Sequence, residues 1–249
     1  MNILVNGASG FMGRELLKLL AAPECQDTPV ACVDLHIDGL PAPAYTSLSD
    51  VREKVDVIID FSHHSATEAL LAYALRHKTP VVIATTGQTD EEVAAIKEAS
   101  KKIPVFFSAN MSLGVALLAA LVRLTVKTFP SADVEIIETH HNRKIDVPSG
   151  TALMLARSVQ SVRDDAEFVV GRHENGKKKP NEVGIHSLRL GNVVGEHEVH
   201  INTGSETITL RHQAHSRALF ADGALVAARF LVKCEAGLYT LASLFRDGN

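Results

Sequence analysis

Three glycines set three residues apart constrain this chain more than any other feature. Gly7-Ala8-Ser9-Gly10-Phe11-Met12-Gly13 follows directly on the apolar segment Ile3-Leu4-Val5 and opens an amphipathic stretch. Glycines at a strand-to-helix turn let the backbone reverse tightly and let a pyrophosphate approach the amides of the helix N-terminus. The pattern is weak by itself, and this context strengthens it. Asp34 ends the second apolar segment, about twenty residues beyond the glycines, where a carboxylate accepts hydrogen bonds from ribose hydroxyls. Leu35 follows at the place where an NADP-preferring chain often carries arginine, so the strand end favours NADH, with NADPH possible.

The rest of the first half repeats strand and helix. Ile3 to Val5, Val30 to Val33, Val57 to Ile59, Val81 to Ile83 and Val105 to Phe107 are short apolar runs without alternation, which suits parallel strands covered on both faces. Helices are expected over Phe11 to Ala22, Ser47 to Lys54, Ala66 to His77 and Asp90 to Lys101, the last with Thr89 and Glu92 as a capping box. This alternation predicts an α/β fold with a Rossmann-like, doubly wound parallel sheet over residues 1–112. Two more strand ends, Ala84-Thr85-Thr86-Gly87 and Ala109-Asn110-Met111-Ser112, are expected to face the same crevice. His63 and His64 are read as structural or solvated and left outside the site.

After a helix from Leu113 to Thr128 the pattern changes. Val134 to Thr139 is expected as a strand, Thr151 to Val162 as a helix, and Val183 to Leu190, Val193 to Ile201 and Glu206 to His212 as an antiparallel meander. These elements predict a smaller α+β domain with an open mixed or antiparallel sheet over 113–219, while helices from about 220 to 249 return to the first domain. The meander presents more apolar face than a small domain needs, so a partner is expected there.

The densest chemistry lies at Glu138-Thr139-His140-His141-Asn142-Arg143-Lys144-Ile145-Asp146-Val147-Pro148-Ser149-Gly150-Thr151. Amides of Ser149, Gly150 and Thr151 at a helix N-terminus can hold a carboxylate. Lys144 can pair with the same group or polarise an imine, and histidine is suited to proton transfer near neutral pH. A solvated polar loop would account for two histidines alone, but less readily for the whole run.

This run, E-x-H-H-x-x-K-x-D-x-P-S-G-T, resembles the signature of the 4-hydroxy-tetrahydrodipicolinate reductase family, long called dihydrodipicolinate reductase. Val183-Gly184-Ile185-His186-Ser187-Leu188-Arg189, Val194-Gly195-Glu196-His197 and His215-Ser216-Arg217 extend the resemblance over nearly the whole chain. The resemblance implies His140 as proton donor, Lys144 as its catalytic partner, His141 as a substrate contact, and Gly150 and Thr151 as carboxylate-binding amides. It places cofactor contacts on Gly7 to Met12, Asp34, Ala84 to Thr86 and Ala109 to Ser112. It further implies reduction of a small cyclic imine dicarboxylate in diaminopimelate and lysine biosynthesis, and a homotetramer joined through the second sheet. Ala84 and Met111 depart from the commonest residues of the pattern.

Composition narrows the alternatives. A net charge of −4 gives no reason to expect nucleic acid or an anionic membrane. No apolar stretch suits a membrane span, no signal peptide is evident, and three cysteines without ligand spacing fit reduced thiols, no metal and a cytoplasmic location. Another two-domain dehydrogenase would explain the first domain but not His140 to Thr151. A redox sensor that binds a dinucleotide without turnover would have no need of His140 and Lys144 beside an anion site.

Overall fold

The apolar runs of the first half become strands with no exposed surface at Ile3, Leu4, Val5, Ile58, Ile59 and Val82. The computed structural model describes residues 1–245, which divide into two units: Met1–Ser112 with the chain from Ala218 onward, and Leu113–Arg217. The first unit runs β1 (Asn2–Asn6), α1 (Phe11–Leu20), β2 (Thr28–Val33), β3 (Ala44–Tyr45), β4 (Val57–Asp60), α2 (Thr67–His77), β5 (Val81–Ile83), α3 (Asp90–Ser100) and β6 (Pro104–Phe107). The second holds α4 (Leu113–Thr128), β7 (Asp133–His140), α5 (Gly150–Gln160), β8 (Glu167–Val170), β9 (Glu182–Arg189), β10 (Gly195–Asn202) and β11 (Thr207–Ala214). The chain then returns to the first unit as α6 (Ala218–Leu231) and β12 (Gly237–Tyr239).

In the first unit the strand order is β12-β6-β5-β4-β1-β2-β3, every pair parallel. The direction of winding reverses between β1 and β4, and open sheets of this kind take ligands at the carboxyl ends beside that reversal. Thr89 accepts from the Glu92 amide while the Glu92 carboxylate accepts from the Thr89 amide, so α3 begins with the predicted capping box. α6 packs on α1, β4, β5 and β6 through Ala221, Ala224, Ala227 and Ala228, all without exposed surface.

The second sheet has the order β11-β10-β7-β9-β8. Its inner face lies under α4 and α5 and is laid down in rungs across the strands. Val183-Val134-Ile201-Ile208 and Ile185-Ile136-Val199-Leu210 are aliphatic rungs. The next rung, Ser187-Glu138-His197-His212, is polar throughout. Beyond it His140 pairs with Arg189.

Four expectations need correction. Ser47 to Lys54 is not a helix: only one turn, Leu48–Asp50, forms, and Val51 is already extended with its side chain buried. So short a segment closes too few hydrogen bonds to offset nucleation. The last three long strands are not a meander. β10 and β11 form a hairpin, but β7 lies between β9 and β10, parallel to one and antiparallel to the other. Turn residues specify a reversal without specifying the neighbour; here the Gly191 turn closes against the loop after β7, with Asn142 N donating to Gly191 O at 3.1 Å. The outward face of the sheet is also less apolar than expected: Leu188 is exposed, but it shares that face with the ion-paired Glu135, His186, Glu196, Glu198, His200 and Arg211. Finally, the tail is helical only to Leu231 before β12 joins the large sheet at its edge and a short turn follows at Leu241–Phe245. The part of the expected return over 246–249 lies outside the described residues.

Gly13 is required by space. A Cβ there would sit 2.7 Å from Ala8 Cα and closer still to the Gly7 carbonyl oxygen, both backbone, whereas one on Gly10 would meet only Gly7 O at 3.3 Å. Gly13→Ala is expected to cost about 1–3 kcal/mol, the usual scale of overpacking, and to lower the thermal midpoint by several degrees. Gly10→Ala should move it much less; equal midpoints for the two variants would contradict this packing.

Candidate active site

The glycine turn and the strand ends beside it enclose a cleft of about 560 Å³ within the first unit, lined among others by Gly7, Ser9, Gly10, Asp34 and His63. Gly7 takes a φ of +77° and its amide donates to Val33 O at 2.8 Å, which ties the turn to the end of β2. α1 starts after Gly10 with no side-chain cap and no acid in its first turn, so no side-chain charge offsets the positive end of its dipole. Asp34 accepts from Ser9 N at 3.0 Å and His36 N at 3.3 Å. Burial works to raise its pKa, but hydrogen bonds led by Ser9 outweigh it and hold the carboxylate ionised below the usual range. These features fit a dinucleotide, with a cradle for pyrophosphate and an acceptor at the strand end for ribose.

The other predicted cofactor residues are not equally placed. Phe11 and Thr86 are exposed and Met12 and Ala84 half-buried, while Ala8, Thr85, Met111 and Ser112 are buried side chains that leave only backbone to a ligand. Ala84 to Thr86 and Ala109 to Ser112 follow β5 and β6 but do not line the cleft. Thr85 instead donates to Asp60 at 2.7 Å, as do Asn6 at 2.7 Å and Ser62 at 2.6 Å. This buried carboxylate, its pKa pushed up by burial, ties together the carboxyl ends of β1, β4 and β5. His63 lines the cleft although the sequence left it out, and His64 pairs with Glu92 at 3.1 Å.

In the second unit the inner face of the sheet ends in ionisable groups. Glu138 has no exposed surface and contacts His140 Nδ1; Arg189 Nη1 reaches both its oxygens at 3.0 Å, and Ser149 N donates to it at 3.3 Å. Burial acts to raise its pKa, but side-chain hydrogen bonds, led by that of His140 and including that of Arg189, hold it down at about 2. His140 is 9% exposed and sits beside Gly195, whose missing side chain leaves room: a Cβ there would be 3.1 Å from Nε2.

The loop from His141 to Ser149 joins β7 to α5 and contains a cis Val147–Pro148 bond. Arg189 Nη2 donates to Asp146 O at 2.7 Å and Lys144 pairs with Asp146 at 2.8 Å, so the loop is held at its middle. Ser149 caps α5: its Oγ accepts from Ala152 N at 3.2 Å and lies 3.0 Å from His197 Nε2. Burial first, then the charge of His140, keeps His197 neutral with a pKa of about 3. Gly150 is exposed with open space where a Cβ would be, Thr151 is half-buried, and the first turn carries no acid. The pKa of His141 is lowered by burial and then by cations led by Arg143 and Arg217, and its Nδ1 is buried without a hydrogen-bond partner.

The structure thus gathers His140, His141, Lys144, Ser149, Gly150 and Thr151 at one end of β7 and α5. Sequence reasoning placed Glu138 at the head of this run without giving it a role, and missed Arg189 and His197 as parts of this end. The signal was present in strand parity: Glu138 and His140 stand two apart and share a face. The pairing that adds Arg189 and His197 needs the register. Among the described residues no cluster of histidine, cysteine and carboxylate suits a metal ion, and no helix is long and apolar enough to cross a membrane.

Family models of dihydrodipicolinate reductase match the chain nearly end to end, the N-terminal model over residues 1–111 and the C-terminal model over 114–245. A 4-hydroxy-tetrahydrodipicolinate reductase of Caldanaerobacter subterraneus subsp. tengcongensis is 45% identical over 100% of this chain and 99% of its own length. One from Exiguobacterium sibiricum is 43% identical over 96% of this chain and 93% of its own. Among solved structures, a dipicolinate-bound dihydrodipicolinate reductase from Paenisporosarcina sp. TG-14 superposes with a TM-score of 0.84 at 25% identity, covering 99% of each chain. With full-length matches in both sequence and fold, this chain belongs to the 4-hydroxy-tetrahydrodipicolinate reductase family of NAD(P)H-dependent oxidoreductases.

Proposed function

We propose that His140 and Lys144 carry the family's reaction in this chain: loss of water from 4-hydroxy-tetrahydrodipicolinate and reduction of the resulting cyclic imine to tetrahydrodipicolinate, within diaminopimelate and lysine biosynthesis. The observation that carries the assignment is the imidazole of His140, held by a fully buried carboxylate at the same strand end that delivers Lys144 and the N-terminus of α5. When bound, NAD(P)H supplies the hydride. His140 delivers a proton from Nε2 as the ring is reduced. Lys144, paired with the largely exposed Asp146, can exchange that partner for a substrate carboxylate. The amides of Gly150 and Thr151 receive a carboxylate at the positive end of α5, with His141 as a further contact; the Ser149 amide, expected to share this task, is instead given to Glu138. The Paenisporosarcina relative binds dipicolinate, a planar ring with two carboxylates, which supports a dicarboxylate site here.

In the first unit Gly7 to Met12 cradle the pyrophosphate, Asp34 takes the ribose hydroxyls, and Ala84 to Thr86 with Ala109 to Ser112 serve the nicotinamide end through their backbone. NADH is the preferred form, because the ionised Asp34 repels an added phosphate and the neighbouring Leu35, 82% exposed, offers no cation. The location is cytoplasmic. The assembly is a homotetramer built on the outward face of the second sheet, where Leu188 is 54% exposed among the ion pairs.

His140→Gln is expected to lower turnover by about 100-fold, the scale of general-acid catalysis, with little change in substrate affinity. Lys144→Ala should impair both, since an ammonium beside a carboxylate also binds the ground state. NADH binding, followed by fluorescence titration, should survive in both variants; normal turnover in both would falsify the assignment. Leu35→Arg should shift preference toward NADPH by about tenfold, as a new charge-assisted hydrogen bond of about 1–2 kcal/mol would. A wild type that strongly prefers NADPH would contradict the role given to Asp34. Sedimentation at micromolar concentration should return a tetramer, and a monomer would remove the proposed assembly.

A further inference from the structure

Proton donors work when one nitrogen is committed to the protein and the other to the reaction. The end of β7 meets that condition. His140 Nδ1 faces Glu138, while Nε2 faces the space left by Gly195. Glu138 has no exposed surface and stands two residues before His140 on the same face of the strand.

The groups around this pair come from several elements. From β9, Arg189 binds both oxygens of Glu138. From β10, the neutral His197 stands edge-on to His140 with ring centroids 5.1 Å apart, and His212 on β11 is paired opposite it. From the loop come His141, Lys144 and Asp146, the last two paired with one another. Glu138 is the one fully buried carboxylate in this set, whereas Asp146 is largely exposed and taken up by Lys144. Two basic side chains, Arg189 and Lys144, stand near the pair. An imidazolium at His140 therefore depends on Glu138 to offset them.

We propose that Glu138 is a positioning residue for the proton donor: its carboxylate accepts the Nδ1 proton of His140, which leaves Nε2 as the nitrogen that loses and regains a proton, and it sustains the imidazolium against the cations around it. The same carboxylate accepts from the Ser149 amide and anchors Arg189, which in turn holds the loop at Asp146 O. One buried group thus sets both the proton donor and the start of the helix that receives the substrate carboxylate. The inference rests on His140 being the donor, and its test separates the two claims.

The test uses nitrogen NMR of the histidine side chains in the full-length protein, with pH-dependent single-turnover rates of NADH oxidation. In the wild type, Nδ1 of His140 is expected to stay protonated across the titration while Nε2 titrates. In Glu138→Gln the titration midpoint should fall by about one pH unit or more, the usual effect of losing an opposite charge at contact distance. The rate requires the protonated ring, so the limb on which it falls with rising pH should move down by the same amount. The two proteins should then converge at low pH and differ about tenfold at high pH. A purely structural Glu138 would lower the rate evenly at every pH and leave the midpoint in place, and that result overturns the proposal. A wild-type spectrum with Nδ1 unprotonated overturns it as well, and this measurement needs no folded variant. If His140→Gln retained full turnover while the NMR result held, the donor assignment would fail and the positioning would stand.

Discussion

A carboxylate with no exposed surface must be met by donors or cations, because leaving it ionised and unmet in a protein interior costs several kcal/mol. Glu138 is met by His140, Arg189 and the Ser149 amide, which belong to β7, β9 and the start of α5. Each of those partners is also part of the proposed site or holds it. The inner face of the second sheet shows where packing gives way to chemistry: two aliphatic rungs, one polar rung, then His140 beside Arg189. The aliphatic rungs bind α4 and α5 to the sheet, and the polar rung fixes what lies at its end.

The first unit solves the same problem with a second buried carboxylate. Asp60 gathers Asn6, Ser62 and Thr85 at the carboxyl ends of β1, β4 and β5, where the winding of the sheet reverses. Its partners are neutral hydroxyls and an amide rather than cations, and burial pushes its pKa up where that of Glu138 is pulled down. The difference suits the tasks proposed for the two ends. A crevice for a dinucleotide needs rigid strand ends, whereas a proton donor needs a fixed charge behind it.

Much of this was legible in the sequence. The glycine turn, the strand-ending Asp34, the capping box of α3 and the run from Glu138 to Thr151 all rest on local rules, and each element formed within a few residues of its expected bounds. What failed was non-local. The Gly191-Asn192 turn looked like a hairpin, but β9 pairs with β7, which is separated from it in the chain by α5 and β8 and is invisible to turn chemistry. The same pairing brings Arg189 to Glu138, so the missed register and the missed site residue have one cause. Thr85 and Met111 follow strand ends as expected, but their side chains are buried, so the contacts proposed for them run through backbone, a distinction only the structure gives. His63 was passed over because a lone loop histidine carries no pattern.

The most direct measurement of the central claim is NADH oxidation in the presence of the cyclic imine dicarboxylate made in situ from aspartate semialdehyde and pyruvate. The expected result is rapid oxidation that requires both precursors and the enzyme that condenses them, and that is slowed by pyridine-2,6-dicarboxylate in competition with the imine. A chain that binds NADH tightly yet leaves it unoxidised when the imine is supplied would be a dinucleotide-binding protein without this activity, and would contradict the role given to the end of β7.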